Sequence, residues 1–197
     1  MSKGFQKIAF FGGTFDPVHR GHIIMAMDVC RHMSLDAFYF VPAAQSPLKS
    51  TSPVASNQDR INMLELAVAG DPEFGVMDIE CSSGQISYTY DTVVKLREKW
   101  SEATFYWVIG KDQLLNIHKW RRINDLAQLV EFICVDRPHY RDDFDQVPGT
   151  IRLHWVKEHL IDTSSTGIRE ALKVGKSIEG LVPEPVGDYI QKHNLYH

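Results

Sequence analysis

Short apolar runs alternate along this chain with segments of helical periodicity, and this alternation restricts the folds that the chain can adopt. Four runs, KIAFFGG, AFYFVPA, ATFYWVIG and VEFICVDRP, are apolar almost throughout. Strands of this kind are buried on both faces, as in a parallel sheet that is covered by helices. We therefore predict an α/β fold with a doubly wound parallel sheet, and a single domain over residues 1–197.

Composition and charge argue against several classes of partner and compartment. Hydrophobic residues make up 44% of the 197 residues, and the formal net charge is -4. The absence of a long basic run argues against nucleic acid or an anionic membrane as a partner, and no apolar run approaches the ~20 residues of a membrane helix. The three cysteines, Cys30, Cys81 and Cys134, are widely separated, and no signal peptide is visible. We therefore expect a cytoplasmic protein.

The segment FFGGTFDPVHRGH, residues 10–22, places a glycine turn between the first predicted strand and a helix. Gly12 and Gly13 let the backbone turn tightly and approach a ligand, and the start of a helix attracts phosphate. His19 and His22 are three residues apart, so they share a helical face and each ring can donate an N–H to phosphate oxygens. Because the segment follows the carboxyl end of a parallel strand, it predicts a phosphate-binding site.

The segment DTSSTGIRE, residues 162–170, predicts a second group of phosphate contacts. Ser164, Ser165 and Thr166 supply hydroxyls and N–H groups at a helix start, and Arg169 follows Thr166 on the same face. These hydroxyls and the guanidinium can converge on a triphosphate. The alternative interpretation is an ordinary helix cap beside an exposed arginine.

GGTFDPVHRGH closely resembles the signature of the nucleotidylyltransferases with an HxGH motif, and DTSSTGIRE resembles their second signature, ISSTxxR. The resemblance implies a Rossmann-like nucleotidylyltransferase fold, in which the segment from about 160 to 197 completes the ATP site. It implies that His19 and His22 contact ATP phosphates and stabilise the transition state. It also implies that the following residues bind ATP: Gly12, Gly13, Thr14, Phe15, Asp112, Ser165, Thr166 and Arg169.

The middle of the chain resembles one group within this superfamily, the nicotinate mononucleotide adenylyltransferases. ISYTYDTVVKL resembles their SYTxDT segment, and IGKDQLLNIHKWRRINDL resembles their GxDxxxxxxxW segment. VDRP and the ending LVPEPVGDYIQKHNLY are also similar, so the resemblance covers essentially the whole chain. It implies transfer of the adenylyl group of ATP to nicotinate mononucleotide, which gives nicotinate adenine dinucleotide and pyrophosphate in NAD biosynthesis.

The resemblance assigns Trp120 to the pyridine ring of the mononucleotide, and Tyr88 and Thr89 to its carboxylate. The chemistry of these residues agrees, because indole stacks on a cationic pyridinium and a helix start favours a carboxylate over a neutral carboxamide. A tryptophan of the core is the alternative for Trp120. Three further tryptophans are predicted to be structural: Trp100, Trp107 and Trp155.

Several polar residues have more than one interpretation. Asp112 follows the third apolar strand, where it either accepts hydrogen bonds from the adenosine ribose or caps a short helix. Asp16 precedes Pro17, where it either fixes the turn through an Asx-type bond or influences Mg²⁺ or the histidines without ligating the metal directly. Lys49 either binds the phosphate of the mononucleotide or lies on the surface, and Leu48 stands where the family often has a histidine.

The expected reaction needs no strong general base, since the attacking phosphate is already a nucleophile at neutral pH. No dense carboxylate cluster is visible, so we predict no metal site on the protein and expect Mg²⁺ to be carried mainly by the ATP phosphates. Nicotinamide mononucleotide and pantetheine phosphate are the alternative acceptors, and a nucleotide sensor without turnover is a further alternative. A relative of the class I aminoacyl-tRNA synthetases is disfavoured by the short acidic chain. The oligomeric state stays open.

Overall fold

The described part of the chain forms a parallel sheet with helices on both faces. The computed structural model describes residues 6–45, 52–83, 87–136, 144–157 and 163–197. Within these ranges the strands are β1 (Lys7–Gly13), β2 (Ala37–Pro42), β3 (Phe74–Val76), β4 (Thr104–Gly110), β5 (Glu131–Asp136) and β6 (Leu153–Lys157). All neighbouring strands are parallel, in the order β3-β2-β1-β4-β5-β6. The predicted fold class is confirmed.

The sequence predicts helices over residues 21–33, 57–70, 87–100, 123–129, 165–175 and 183–194, and six of the observed helices agree with these ranges to within a few residues. The helices of the described residues are α1 (Arg20–Met33), α2 (Asn57–Val68), α3 (Thr89–Lys99), α4 (Lys111–Leu114), α5 (Ile123–Leu129), α6 (Ser165–Lys173) and α7 (Glu184–Lys192). Short 3₁₀ helices span Cys81–Ser83 and Ile117–Lys119. No helix among the described residues is long and apolar enough to cross a membrane.

Successive side chains of β1 enter two hydrophobic cores on opposite faces of the sheet. Ala9 belongs to the core formed with α1, α2, α6 and α7, whereas Ile8 and Phe10 belong to the core formed with α3, α4 and α5. All three side chains are completely buried. Because both faces of β1 are covered, its sequence is apolar at nearly every position and lacks the alternation of a half-exposed strand.

The strand order reverses at β1, and this reversal creates a crevice at the carboxyl edge of the sheet. β2 and β3 lie on one side of β1, and β4, β5 and β6 lie on the other. The crevice therefore lies beside Gly13, which ends β1, and Gly110, which ends β4. Open parallel sheets bind their ligands at such a position.

One strand is shorter than the sequence predicts. The alternating segment FGVMDIE predicts a strand over residues 74–80, but β3 ends at Val76. The N–H of Met77 donates to the carbonyl of Phe40 at 2.9 Å, and the chain then leaves the sheet. β2 ends two residues later at Pro42, which has no N–H with which to extend the ladder.

Candidate active site

The glycine turn at the end of β1 lies against two aromatic rings. A Cβ atom on Gly12 would lie 2.9 Å from Cζ2 of Trp107, and one on Gly13 would lie 2.8 Å from Cζ of Phe15. Both distances are shorter than side-chain carbons normally tolerate, so glycine is required at both positions by space rather than by backbone conformation. Both glycines also line the cavity described below, so the backbone of the turn borders the crevice.

The two histidines of the first motif stack at the start of α1. His19 precedes the helix and His22 is its third residue, and their ring centroids are 3.7 Å apart. The backbone N–H of His19 donates to Nδ1 of His22 at 3.2 Å. Because Nδ1 accepts this bond, the neutral ring of His22 carries its proton on Nε2. The shared face that the spacing predicts is present, and the His22 tautomer suits donation to a phosphate oxygen.

Asp16 does not form the local turn that the sequence predicts. Its carboxylate accepts hydrogen bonds from the N–H groups of Val54 at 2.8 Å and Ala55 at 3.1 Å, and from the hydroxyl of Tyr196 at 2.7 Å. The prediction of an Asx-type bond is wrong because the side chain is only 3% exposed and bonds to distant segments. Asp16 thus links the first motif to the segment before α2 and to residues beyond α7.

The second motif begins α6 and packs against the first motif. Ser164 caps the helix, since its Oγ accepts a hydrogen bond from the N–H of Gly167 at 3.1 Å. The hydroxyl of Ser165 donates to the carbonyl of Pro17 at 2.9 Å. The proton that we expected Ser165 to offer to a phosphate is therefore used within the protein. A phosphate contact at this position falls to the N–H groups of the first helical turn, which have no carbonyl partner within the helix.

Arg169 connects α6 to the loop between the glycine turn and the histidines. Its Nη1 donates to the backbone carbonyl of Asp16 at 2.7 Å, and its Nη2 lies 3.3 Å from Oγ1 of Thr166. Its side chain is 23% exposed, so part of the guanidinium reaches the surface beside the first turn of α6. The structure thus brings the two predicted phosphate-binding motifs together, as the sequence interpretation requires.

A cavity of about 380 Å³ opens between the glycine turn, the start of α3 and the segment that follows the second 3₁₀ helix. Six residues predicted to bind ATP or the mononucleotide line it: Gly12, Gly13, Thr14, Tyr88, Thr89 and Trp120. Other lining residues were not predicted to bind a ligand, and they include Glu80, Trp107, Gln113, Lys119 and Arg121.

The part of the cavity predicted to hold the pyridine ring combines a helix start with an indole. Tyr88 is the N-terminal cap of α3 and Thr89 is its first residue, so the first N–H groups of the helix lie at the cavity wall. Trp120 packs edge-on against Phe132 and also lines the cavity, so part of its surface lies in the core and part faces the cavity. Its Nε1 is buried and has no hydrogen-bond partner among the described residues.

Glu80 is a buried carboxyl group in the cavity wall. It is 6% exposed, and its Oε1 accepts a hydrogen bond from the hydroxyl of Thr92 at 2.8 Å. Burial raises the pKa of Glu80, and the bond from Thr92 and the charge of Lys95 oppose that rise only in part. Sequence reasoning missed Glu80 as a cavity residue, because it falls in a segment whose alternation resembles a strand.

Trp107 and Arg121 also contribute to the cavity. We expected Trp107 to be only structural, and it is indeed 3% exposed, but its ring lies beside Gly12 and forms part of the wall. Arg121 lies over the ring of Tyr88 at 4.7 Å and pairs with Asp91 at 2.9 Å. It therefore places a positive charge beside the start of α3.

Seven described residues that were predicted to act on or bind the substrates do not line this cavity: Phe15, His19, His22, Asp112, Ser165, Thr166 and Arg169. Asp112 is exposed in the first turn of α4, whose N-terminal cap is Gly110, so Asp112 is not the helix cap and a ribose contact stays a prediction. The ring of Phe15 is 2% exposed and packs against Phe40, so its predicted ATP contact is restricted to the backbone. Lys49 and Leu48 lie outside the described residues.

The described residues contain no group of three or more histidine, cysteine, aspartate or glutamate side chains placed to bind a metal ion. The carboxylate nearest the two histidines in sequence, Asp16, is occupied by bonds to the protein. The prediction that Mg²⁺ is carried by ATP stays a prediction.

Comparison with known proteins identifies the family. The cytidylyltransferase-like family model matches residues 10–171. A protein of Opitutus terrae with the name "Probable nicotinate-nucleotide adenylyltransferase" is 42% identical over 195 residues, which cover 97% of this chain and 98% of that protein. A protein of the same name from Hydrogenobaculum sp. is 41% identical over 189 residues, which cover 96% of this chain and 97% of that protein. This chain belongs to the nicotinate-nucleotide adenylyltransferase family.

The fold of the nicotinate-nucleotide adenylyltransferase family is also found among solved structures. The nicotinic acid mononucleotide adenylyltransferase of Plasmodium falciparum, complexed with NaAD, matches with a TM-score of 0.79, 22% identity and coverage of 97% of both chains. At this identity the likeness shows the shared fold. The family resemblance and the nucleotidylyltransferase fold that the motifs predict are confirmed.

Proposed function

We propose that this protein transfers the adenylyl group of ATP to nicotinate mononucleotide and releases nicotinate adenine dinucleotide and pyrophosphate. The observation that carries the proposal is the cavity in which the glycine turn, the start of α3 and Trp120 face one another. A nucleotide bound against the turn and a pyridine ring bound against Trp120 would share one continuous space. The names of the curated relatives support the same activity.

The ATP phosphates are assigned to the two motifs that the fold brings together. Nε2 of His22 is the donor for a phosphate oxygen, and His19 is stacked against the same ring. The first turn of α6 and Arg169 are assigned to the leaving pyrophosphate, since N–H groups and a guanidinium both favour phosphate. Their contact with Asp16 and Pro17 joins them to the histidine loop.

The pyridine carboxylate is assigned to the start of α3. The N–H groups near Tyr88 and Thr89 and the positive end of the helix favour a carboxylate over an uncharged carboxamide. Trp120 lines the same cavity and provides a stacking surface for the cationic ring. Arg121 lies over the ring of Tyr88, but its charge is compensated by the carboxylate of Asp91 at 2.9 Å, so the preference for an acid is assigned to the helix start.

The chemistry is a displacement at phosphorus. A phosphate oxygen of the mononucleotide bonds to the α-phosphorus of ATP, and the bond from that phosphorus to the pyrophosphate oxygen breaks. No proton has to leave the nucleophile, so the protein contributes alignment and charge stabilisation. Mg²⁺ enters with ATP as part of the substrate and neutralises phosphate charge.

We also infer that the protein works in a reducing, cytoplasmic compartment. The three cysteines are buried and form no disulfide, and burial raises the pKa of Cys30 to about 12. Buried thiols with a raised pKa carry little thiolate, so they act as small apolar core residues and react slowly to form disulfides.

The test is a comparison of acceptors with purified protein, ATP and Mg²⁺. Pyrophosphate release is measured with nicotinate mononucleotide, nicotinamide mononucleotide and phosphopantetheine in separate reactions. The proposal predicts that the acid mononucleotide gives the highest kcat/KM. A higher kcat/KM for either other acceptor would replace the assigned substrate, and ATP binding without turnover with any acceptor would indicate a nucleotide sensor.

A further inference from the structure

The carboxylate of Asp16 is stabilised almost entirely by donors from distant parts of the protein. Its Oδ1 accepts hydrogen bonds from the hydroxyl of Tyr196 at 2.7 Å and from the N–H of Ala55 at 3.1 Å. Its Oδ2 accepts a bond from the N–H of Val54 at 2.8 Å. Asp16 is 3% exposed and Tyr196 is 5% exposed, so water contributes little. Loss of one donor would leave a buried charge poorly compensated.

Arg169 lies at the edge of this network without forming a close ion pair. Its Nη1 bonds to the backbone carbonyl of Asp16 at 2.7 Å but lies 4.0 Å from Oδ2 of the same residue. A small movement of either side chain would join guanidinium and carboxylate directly. The carboxylate of Asp16 and a triphosphate beside α6 are therefore two anions that compete for one cation.

We propose that Tyr196 is a positioning residue, whose hydroxyl satisfies the carboxylate of Asp16 and so leaves the guanidinium of Arg169 for the triphosphate. The proposal rests on the proposed function, in which Arg169 binds the ATP phosphates. Tyr196 can play this part at any physiological pH, because burial and the bond to Asp16 raise the pKa of its hydroxyl and keep it protonated. The hydroxyl therefore always donates to the carboxylate.

The chain contains a matched control for this interaction. The hydroxyl of Tyr189 donates to Oδ1 of Asp59 at 2.9 Å and joins α7 to α2. This is the same pair of chemical groups, but it involves neither of the two phosphate-binding motifs. The same hydroxyl accepts a hydrogen bond from Nδ2 of Asn62 at 2.8 Å, so Tyr189→Phe removes two bonds between α7 and α2 and measures the cost of loosening this contact away from the phosphate-binding motifs.

The experiment measures ATP affinity by isothermal titration calorimetry with Mg²⁺ and an α,β-methylene analogue of ATP. We expect Tyr196→Phe to weaken binding about tenfold, and Tyr189→Phe to change it by less than about twofold. Equal losses in the two variants, or an unchanged affinity in Tyr196→Phe, would overturn the proposal. Thermal unfolding of both variants establishes that they are folded at the temperature of the titration.

A double-mutant cycle shows whether Tyr196 acts through Arg169. In an Arg169→Ala background the competition is absent, so adding Tyr196→Phe should weaken binding by less than about twofold. A purely structural role would give the same loss in both backgrounds, and that result would also overturn the proposal. Neither titration requires an acceptor, so a failure to use nicotinate mononucleotide would refute the assigned activity without affecting this outcome.

Discussion

The backbone N–H of His19 bonds to Nδ1 of His22, so one histidine of the motif determines which nitrogen of the other carries the proton. This relationship separates two roles of His22. Nδ1 helps to cap α1, and Nε2 is the donor assigned to a phosphate oxygen. The two roles can be removed independently by substitution.

We predict that His22→Asn keeps the cap and loses the phosphate donor, because the amide oxygen of asparagine can replace Nδ1 but nothing replaces Nε2. Turnover should fall by about a hundredfold while ATP binding is nearly retained, as for the loss of one transition-state donor. His22→Ala should show the same loss of turnover and a free energy of unfolding lower by about 1 kcal/mol. Steady-state kinetics and urea unfolding check both values, and a raised KM with unchanged kcat would contradict the role.

Trp120 gives a prediction for the acceptor side of the cavity. Trp120→Ala should raise the KM for nicotinate mononucleotide by about tenfold and leave the KM for ATP unchanged, because only the pyridine ring is assigned to the indole. Trp155 is the matched control, since it is 43% exposed on β6. Equal effects of Trp120→Ala on both KM values, or an effect of Trp155→Ala of similar size, would refute the assignment.

The glycine turn predicts a steric effect on folding. Gly13→Ala places a Cβ 2.8 Å from Cζ of Phe15, and because the ring of Phe15 is buried against Phe40 we expect the free energy of unfolding to fall by about 1–3 kcal/mol. Gly70→Ala is the control, since its Cβ would have no heavy atom within 4 Å. Urea unfolding should show little change or a small gain there. A loss at Gly70 as large as that at Gly13 would contradict the steric explanation.

Two glutamates predict opposite effects of pH on stability. Burial raises the pKa of Glu80, so the folded state favours its protonated form and this contribution to stability is lost as pH rises through the unfolded and then the folded pKa. Burial also acts to raise the pKa of Glu131, but hydrogen bonds from His154 and Arg152 outweigh it and the pKa is lowered. Its contribution is therefore present above the unfolded pKa and is lost as pH falls through the folded value.

The measurement compares the free energies of unfolding of the unmodified protein, Glu80→Gln and Glu131→Gln at about pH 4 and about pH 7. Between the lower and the higher pH, the unmodified protein should lose stability relative to Glu80→Gln and gain stability relative to Glu131→Gln. Differences that change in the same direction for both variants would show that the two environments are not opposite.

The sequence predicted those parts of the site that depend on local pattern. The glycine turn, the histidine pair and the cap of α6 are each formed by residues that are close together in the sequence. Their spacing is therefore enough to predict each feature. Phe10 and Trp107 show the limit of this reasoning, because they are neighbours through the pairing of β1 with β4. No local sequence pattern predicts that Trp107 lines the cavity.

Interactions between distant segments explain the other errors. The bond from Tyr196 to Asp16 spans 180 residues, so the local turn predicted for Asp16 had no visible competitor in the sequence. Arg60 is completely buried and donates to the carbonyl of Thr14 at 2.5 Å, although an arginine in an amphipathic helix normally lies at the surface. Tyr196 and Arg60 therefore both bond to residues of the first motif from distant parts of the chain.

The most direct test of the account is the turnover of a protein with both His19→Ala and His22→Ala. Pyrophosphate release with ATP, Mg²⁺ and nicotinate mononucleotide should fall by about a thousandfold or more, because the assigned donors at the transferring phosphate are removed together. Circular dichroism confirms that the variant is folded. A folded double variant that releases pyrophosphate as fast as the unmodified protein would contradict the central claim.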